Sequence, residues 1–287
     1  SMSSNVTILS ENDADDANLF SASNAAVAIS GGGNAKLVGD LFAKTGDIAA
    51  IALSGNVEIG GESDLDVIQE DHTHLGVDSP VVPEVDLAPF PALTTSTIDA
   101  STDTKGETFN NVRILANTNP TFSSNTTLNG VVYIEAPNNV KFSGTLVLNG
   151  FIVTADGSSL PLSGNQITFA GSLTIPGVEA LPDDAVFQAV KEYKGMAVLA
   201  PGFGVTFTGN NSSIDGMLAA DQFTFRGNST LGGKLTGMVL GMSDQPMSLK
   251  GNTEITINRS NDDYTPAGFI YTASLRAVSG TYAESTP

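Results

Sequence analysis

Two groups of residues in this chain carry side chains that could do chemistry. Asp215, Asp221 and Arg226 bring two carboxylates and a guanidinium together, which are the groups that bind and deprotonate a sugar in an enzyme. His72 and His74, the only histidines, alternate in "QEDHTH" (69–74), and residues two apart on a strand share one face, as a metal site requires. We predict no catalytic and no metal-binding residue from either group. The chain has four arginines and no tryptophan to stack on a sugar ring, and a solvated loop before a proline-rich segment explains the histidines better than a metal site does.

A third group is the acidic segment "ENDADD" (11–16). Its Glu11, Asp13 and Asp15 are spaced like the start of a calcium loop, but the glycine and the closing glutamate of that motif are missing. The chain also has no P-loop and no G-x-S-x-G motif. We therefore predict no metal, no cofactor and no enzyme activity.

Composition narrows the possible partners. The 287 residues carry a formal net charge of −19, which opposes binding to nucleic acid or to anionic lipid. The absence of cysteine excludes disulfides and thiolate chemistry. No run of 18 apolar residues is present, so no membrane span is predicted, and we expect any export signal or anchor to lie upstream of Ser3.

The elements that position these residues are recognised from an internal repeat. The phrase "GNSTLGGKL" (227–235) recurs with the pattern G-N-x-x-Φ-x-G, where Φ is apolar, for example as "GNAKLVGDL" (33–41) and "GNVEIGGES" (55–63). Aligning the copies gives a first apolar column of Leu53, Phe122, Phe142, Phe169, Phe207, Phe225 and Leu249. A second column contains Leu37, Ile59, Leu128, Leu148, Ile175, Ile214, Leu231 and Ile255.

Repeats of this length, each with short strands, predict an all-β, right-handed parallel β-helix in which coils stack. An antiparallel sandwich is the alternative, but it does not explain a phrase that recurs with constant internal spacing. The Gly-Asn pairs are predicted to form corners in which Asn56, Asn125, Asn228 and Asn252 adopt turn conformations with φ above or close to zero. Aligned corner asparagines would then form a hydrogen-bonded ladder.

Interruptions of the repeat predict the domain organisation. Residues 1–77 form a short N-terminal solenoid, 78–108 a Pro/Ser/Thr-rich connection, 109–258 the main parallel β-helix, and 259–287 a C-terminal extension. "NVTILS" (5–10) and "NVRILA" (111–116) are interpreted as equivalent starts of the two solenoid segments. One inserted α-helix is predicted near 183–194, with Asp183 as N-cap and Gly195 after its end.

The segment "IDGMLAADQFTFRGNSTLGGKLTGMVLG" (214–241) resembles bacterial surface and pilus-associated parallel β-helix proteins, in which Gly-Asn corners alternate with short strands. It is also distantly similar to the bactofilins, which are polymer-forming β-helices of the bacterial cytoskeleton. The resemblance covers about 109–258, with a shorter echo at 27–63, and implies no catalytic residues. The inserted helix, the long connection and the uneven coils differ from the regular bactofilin coils.

This resemblance implies a non-catalytic, exported bacterial structural module that is surface-exposed, pilus-associated or adhesive. Its expected location is extracellular or at the cell surface, and its expected partners are surface or pilus proteins or extracellular glycans. Two alternatives remain: a carbohydrate-active enzyme of the pectate-lyase-like class, and an intracellular scaffold that polymerises through open solenoid ends. Acidic residues and an arginine that converge on neighbouring coils would favour the enzyme. Exposed apolar end coils would favour the scaffold, and capped ends would favour the surface module.

Overall fold

The computed structural model describes residues 1–79, 84–209, 212–227, 230–235, 238–258 and 268–270. The strands up to residue 98 are β1 (Met2–Ser10), β2 (Leu19–Ser21), β3 (Ile29–Gly31), β4 (Lys36–Leu37), β5 (Leu41–Ala43), β6 (Ile51–Leu53), β7 (Glu58–Ile59), β8 (Thr73–Leu75), β9 (Glu84–Val85) and β10 (Ser96–Ile98). The remaining strands are β11 (Thr108–Ile114), β12 (Thr121–Phe122), β13 (Thr126–Ile134), β14 (Asn138–Phe142), β15 (Leu146–Thr154), β16 (Asn165–Phe169), β17 (Leu173–Ile175), β18 (Met196–Phe207), β19 (Ser212–Ile214), β20 (Met217–Phe225), β21 (Thr230–Leu235), β22 (Val239–Gly241), β23 (Ser248–Ile257) and β24 (Phe269–Ile270).

The strands wind into coils with three faces. In the coil 140–154, face 1 is 140–142, face 2 is 146–149 and face 3 is 151–154; β15 runs through two faces and bends at Gly150. Each coil pairs in parallel with the next, and the ladders join nineteen strands in one sheet. Among the named strands, only β9 and β24 pair antiparallel. The parallel β-helix predicted from the repeat is confirmed, and the antiparallel sandwich is excluded.

The spatial order of the coils differs from their order in the chain. Strand β1 pairs with β23 along nine residues, from Met2 opposite Leu249 to Ser10 opposite Ile257. On its other edge, β1 pairs with β3 and β4. The N-terminal solenoid therefore stacks on the C-terminal coil of the main helix, and the two segments form one continuous solenoid.

The first apolar column forms a stack of aromatic rings inside the solenoid. Neighbouring ring centroids are 4.8, 5.4, 5.1 and 5.0 Å apart, and all five rings are at most 2% exposed. The stack consists of Phe122, Phe142, Phe169, Phe207 and Phe225. Leu249 continues the column beyond Phe225, and Met2 follows Leu249 across the joint. The predicted inward position of these residues is confirmed.

The second column is also confirmed in register. Leu128 pairs with Leu148, and Ile175 pairs with Ile214. Ile255 pairs with Leu231, whose side chain lies outside the described part of the structure, and on its other side with Ile8. Ile8 belongs to the column but was missed in the repeat, because Ser4 replaces the glycine that precedes the corner asparagine elsewhere.

The corners require positive φ, but the prediction that the asparagines adopt it is wrong. Asn56, Asn125 and Asn252 are not in that region, whereas the residues before Asn56 and Asn252, Gly55 and Gly251, both have φ of 82°. Asn228 lies outside the described residues. The close stacking of coils is the reason for glycine, since a Cβ on Gly55 would come within 2.8 Å of the Gly33 carbonyl oxygen.

The predicted asparagine ladder is present. The side-chain amide of Asn56 donates to Asn34, Asn34 donates to Asn5, and Asn5 donates to Asn252, at 3.1, 2.7 and 2.8 Å. The ladder crosses the joint between the two solenoid segments without a change of geometry. By contrast, 5–10 and 111–116 are not equivalent starts, because Val6 pairs with Thr253 on face 2 and Val112 pairs with Val132 on face 3.

A second apolar layer covers the outside of face 3. Phe151, Val153 and Leu199 point outward from the sheet and are fully buried. They are covered by the segment 176–195 and by the connection, where Phe90 packs edge-on to Phe151 at 5.7 Å. The connection contains β9, a 3-10 turn (Phe90–Leu93) and β10. The predicted domain boundaries themselves stay predictions.

The predicted α-helix at 183–194 is wrong. The segment forms two 3-10 turns, Ala185–Phe187 and Val190–Glu192, after a third at Val178–Ala180. Phe187 and Val190 are buried three residues apart, which is the period of a 3-10 turn, while Val186 is 41% exposed. Asp184, not Asp183, caps the first turn by accepting from the Val186 amide.

The α-helix that is present, α1 (Leu65–Asp71), lies beyond the last coil of the N-terminal solenoid. Asp64 caps it, and Ile68 is fully buried in the solenoid core. Further 3-10 turns occur at Ala14–Ala17, Ile48–Ala50 and Leu162–Gly164. Within the described ranges, no helix has the length and apolarity needed to cross a membrane.

Replacing Phe225 with alanine should lower the free energy of unfolding by about 3–5 kcal/mol, because it leaves a cavity at the end of the ring stack. Thr224→Ala, on the outward side of the same strand, is the control and should change it by less than about 0.5 kcal/mol. Guanidinium denaturation curves measure both. A Phe225→Ala curve within error of the wild type would show that the stack is not part of the core.

Gly33→Ala should destabilise the protein, since Gly33 has φ of 74° and a Cβ would lie 2.8 Å from the Ser4 carbonyl oxygen. The left-handed conformation alone costs roughly 1–2 kcal/mol. Gly46 has no atom within 4 Å of an added Cβ. Gly46→Ala should therefore leave stability unchanged or raise it by about 0.4–1 kcal/mol. Equal thermal midpoints for the two variants would contradict the role assigned to the corners.

Candidate contact face

A row of small hydroxyl side chains runs along the outside of face 1. The ladders of β12, β14, β16, β18, β20 and β23 place one outward residue of each coil opposite that of the next. We call these residues the hydroxyl row: Thr121, Lys141, Thr168, Thr206, Thr224 and Ser248. Five of the six are Thr or Ser, and neighbours are separated by the strand spacing of about 4.8 Å.

On one side of the hydroxyl row lie three neutral side-chain amides and a glycine. Asn139, Gln166, Gly204 and Gln222 follow one another in register two positions earlier in each strand. Gln166 lies across Gly204, where an added Cβ would meet its amide nitrogen at 2.5 Å, and donates to the Leu162 carbonyl at 2.6 Å. Face 1 therefore presents a set of hydrogen-bonding groups with one cation, Lys141, in the row itself, and two further exposed cations, Arg226 and Lys250, two positions beyond it.

The outside of face 2 divides into a neutral part and a charged part. In the main helix, Asn149 donates to Asn129 and Asn129 donates to Asn110, both at 2.9 Å. In the N-terminal solenoid, Lys36 and Glu58 form an exposed ion pair of 2.6 Å. Such an exposed pair contributes little to stability.

The possible sugar-cleaving group does not converge. Asp215 lies in the turn between β19 and β20, Asp221 lies within β20, and Arg226 follows its end and is exposed. Arg226 lies five positions after Asp221, roughly 16 Å along an extended strand. Arg113, the other arginine in the described residues, pairs with the Glu135 carboxylate.

Asp221 does line a shallow depression of about 360 Å³ at the corner between faces 3 and 1. Its Oδ1 accepts from the Gly202 amide at 2.8 Å. Around it lie Ser158, Ser243 and Gln245, with Leu160 and Leu162 on one side. Among the described residues that line the depression, Asp221 is the only ionisable one, so it has no partner there for acid–base work.

The two histidines converge on one carboxylate. His72 ends α1, His74 lies on β8, and Asp40 precedes β5 in the neighbouring coil. His72 Nδ1 is 2.8 Å from Asp40 Oδ1, and His74 Nε2 is 2.7 Å from Asp40 Oδ2. The imidazole of His74 also stacks on Phe42 at 4.5 Å. Sequence reasoning found the histidine pair but missed Asp40, which is about 30 residues away in the chain and is brought near only by the stacking of coils.

This arrangement links two coils rather than enclosing an ion. Partial burial opposes the charge on Asp40, but hydrogen bonds from His74 and His72 and their charge outweigh it, so the pKa of Asp40 lies below its ordinary value of 3.8. In the part of the chain that the structure describes, no group of three or more His, Asp or Glu side chains has the geometry to hold a metal ion.

The acidic segment 11–16 also has a local structural role. Asp13 accepts from the Asp15 amide at 3.1 Å and so caps the 3-10 turn Ala14–Ala17. The Glu11 carboxylate accepts from the side-chain amide of Asn258, at the end of β23. These contacts place the segment at the joint between the two solenoid segments.

Replacing Asp40 with asparagine should destabilise the protein at pH 5 and have a smaller effect in acid. Because the folded-state pKa of Asp40 is lowered, its ionised form stabilises the fold above pH 3.8, and this stability is lost as the pH falls through the folded-state pKa. Urea denaturation at stepped pH gives the difference between wild type and variant. In a His72→Gln/His74→Gln background, the change in unfolding free energy caused by Asp40→Asn should no longer depend on pH. If that change is already independent of pH when both histidines are present, the assignment is wrong.

Compared with known proteins, the chain matches no protein-family model, no curated protein and no solved structure.

Proposed function

We propose that this protein is a non-catalytic, exported bacterial module of the cell surface, pilus-associated or adhesive, whose hydroxyl row contacts extracellular glycans. The observation that carries the proposal is the regular face 1, where Thr168, Thr206, Thr224 and Ser248 repeat in register over four coils. Thr206 is 9% exposed and the other three are half-buried. Such a face offers many weak hydrogen bonds to an extended partner and no pocket for a small one.

Charge favours a neutral polysaccharide as that partner. The chain has a net charge of −19, which repels acidic polymers and anionic membranes. Threonine and serine hydroxyls both donate and accept hydrogen bonds, as do the side-chain amides beside them and the hydroxyls of a sugar chain. Repetition along the solenoid axis matches a polymer better than a compact ligand, because each coil adds one more contact to the same chain.

Coverage of the apolar core at both ends of the solenoid supports the surface module over a self-polymerising scaffold. At one end, α1 inserts Ile68 into the core beyond β7. At the other end, β10 pairs with β11 through residues 96–98 and buries Ile98 fully. The apolar core is therefore covered at both ends, although β10 pairs with only face 3 of its terminal coil and leaves β12 and residues 108–110 of β11 paired on one side among the described strands.

Binding can be tested with charge placed on the face. Thr168→Glu/Thr224→Glu should abolish co-sedimentation of the protein with insoluble neutral polysaccharide, because two carboxylates interrupt the hydroxyl row. The matched control is Thr127→Glu/Thr174→Glu, which adds the same charge to outward positions of face 2. Equal binding by both double variants, or no binding by the wild type, would exclude face 1 as a glycan contact.

A carbohydrate-active enzyme is the second candidate, favoured only by the position of Asp221 in the depression. A panel of acidic and neutral polysaccharides, with and without calcium, should yield no new reducing ends and no unsaturated products. Activity that disappears in Asp221→Ala would replace the proposal with the enzyme.

The location is tested separately on intact cells of the source organism. Protease added outside the cells should degrade the protein while a cytoplasmic marker survives. Protection of the protein until the cells are lysed would contradict the proposed surface location and favour an intracellular role.

A further inference from the structure

The joint between the N-terminal solenoid, residues 1–77, and the main helix is paired on two of its three faces by the strands that the structure describes. On face 2, β1 and β23 pair fully, and on face 1 the Leu249 amide donates to the Ser1 carbonyl at 2.8 Å. On face 3 the described strands do not continue across it. There β2, β5 and β8 form a separate three-stranded sheet, while the face 3 ladder of the main helix ends at β22.

The contacts that do cross the joint are those that hold any two coils together. Val6 and Ile8 are buried opposite Thr253 and Ile255, and Asn5 donates to Asn252 as Asn34 donates to Asn5. The edge of β23 can therefore pair with any coil that presents this register and these side chains. These features are identical in every copy of the chain.

The covalent connection between the two segments does not run through the joint. Asn5 and Asn252 are 247 residues apart in sequence. The N-terminal solenoid ends at its far side, with α1 and β8, and the chain then returns to β10 at the opposite end of the main helix. The connection, which packs on face 3 through Phe90, therefore holds the N-terminal solenoid near its own β23 and raises its local concentration there, but it forms no part of the joint itself.

We infer that the N-terminal solenoid is an exchangeable cap: the edge formed by β23 accepts β1 from a second copy of this chain in the same register as its own. At low protein concentration the connection favours the closed monomer. As concentration rises, exchange between copies joins main helices through identical joints, which is a domain swap. The inference rests on the joint alone and is independent of the proposed function.

The absence of cysteine from the natural chain allows a direct test. Thr7 and Glu254 are opposite each other on the outward side of the joint. Adjacent strands lie about 4.8 Å apart, within the range of about 4.4–6.8 Å between the α-carbons of a disulfide. Thr7→Cys and Glu254→Cys are made in separate full-length chains, unfolded together, refolded at increasing concentration and oxidised.

Exchange predicts a disulfide-linked heterodimer joined through positions 7 and 254, whose share of the protein rises with concentration during refolding. The double variant Thr7→Cys/Glu254→Cys refolded alone and dilute should give a crosslinked monomer. A mixture of Thr7→Cys with Thr174→Cys, exposed on face 2 away from the joint, measures crosslinking by random collision.

A heterodimer yield equal to that of the Thr174→Cys mixture at every concentration would overturn the inference. Leu9→Cys with Thr256→Cys, another register pair of the same strands, repeats the test in case geometry at the first pair disfavours oxidation. Native mass spectrometry of chains with and without isotopic labelling, co-refolded without cysteines, gives a third readout. Exclusively unmixed monomers in that experiment would also overturn it.

Discussion

Every coil of this solenoid has to match its neighbours in height and in side-chain depth, because one backbone ladder and one stack of inward residues pass through all of them. Phe142, Phe169 and Phe207 pair in register and also touch ring to ring. The same constraint governs the corners, where the carbonyl of one coil lies too close to the next for a Cβ. The asparagine ladder, the hydroxyl row and the histidine–aspartate link all depend on this constraint. Each consists of residues that are distant in sequence and become neighbours only because the coils stack in register.

This constraint explains which features could be predicted from the sequence. A repeated apolar position at constant distance from a Gly-Asn pair specifies an inward column, and Phe225 and Ile255 are where that logic places them. The logic does not reach elements that occur once. The apolar residues of the segment 183–194 are compatible with the period of an α-helix and with that of a 3-10 turn. The segment forms 3-10 turns because these allow both Phe187 and Val190 to pack on face 3.

Other features escaped because they depend on stacking order. Nothing local in β1 indicates that its partner is β23, since parallel pairing over such a distance leaves no turn signal in the sequence. Ser4 concealed the repeat further: it occupies the position of Gly33 and Gly55 with φ of 70°, a strained conformation for serine. Asp40 likewise acquires its histidine partners only because the coil that contains it lies beside the coil that contains His72 and His74.

The place of β1 within the solenoid has a consequence for biosynthesis. It leaves the ribosome well before its partner, so the edge that will face β23 stays uncovered until residues 248–257 have been made. At about 5–20 residues per second, the intervening stretch takes roughly 12–50 s to synthesise. During that interval this edge of β1 is unpaired, and apolar residues that are buried in the folded protein, such as Val6 and Ile8, are exposed beside it. An unpaired apolar strand edge is prone to aggregate or to bind chaperones. The chain therefore completes its solenoid at a seam between two strands that are synthesised about 247 residues apart.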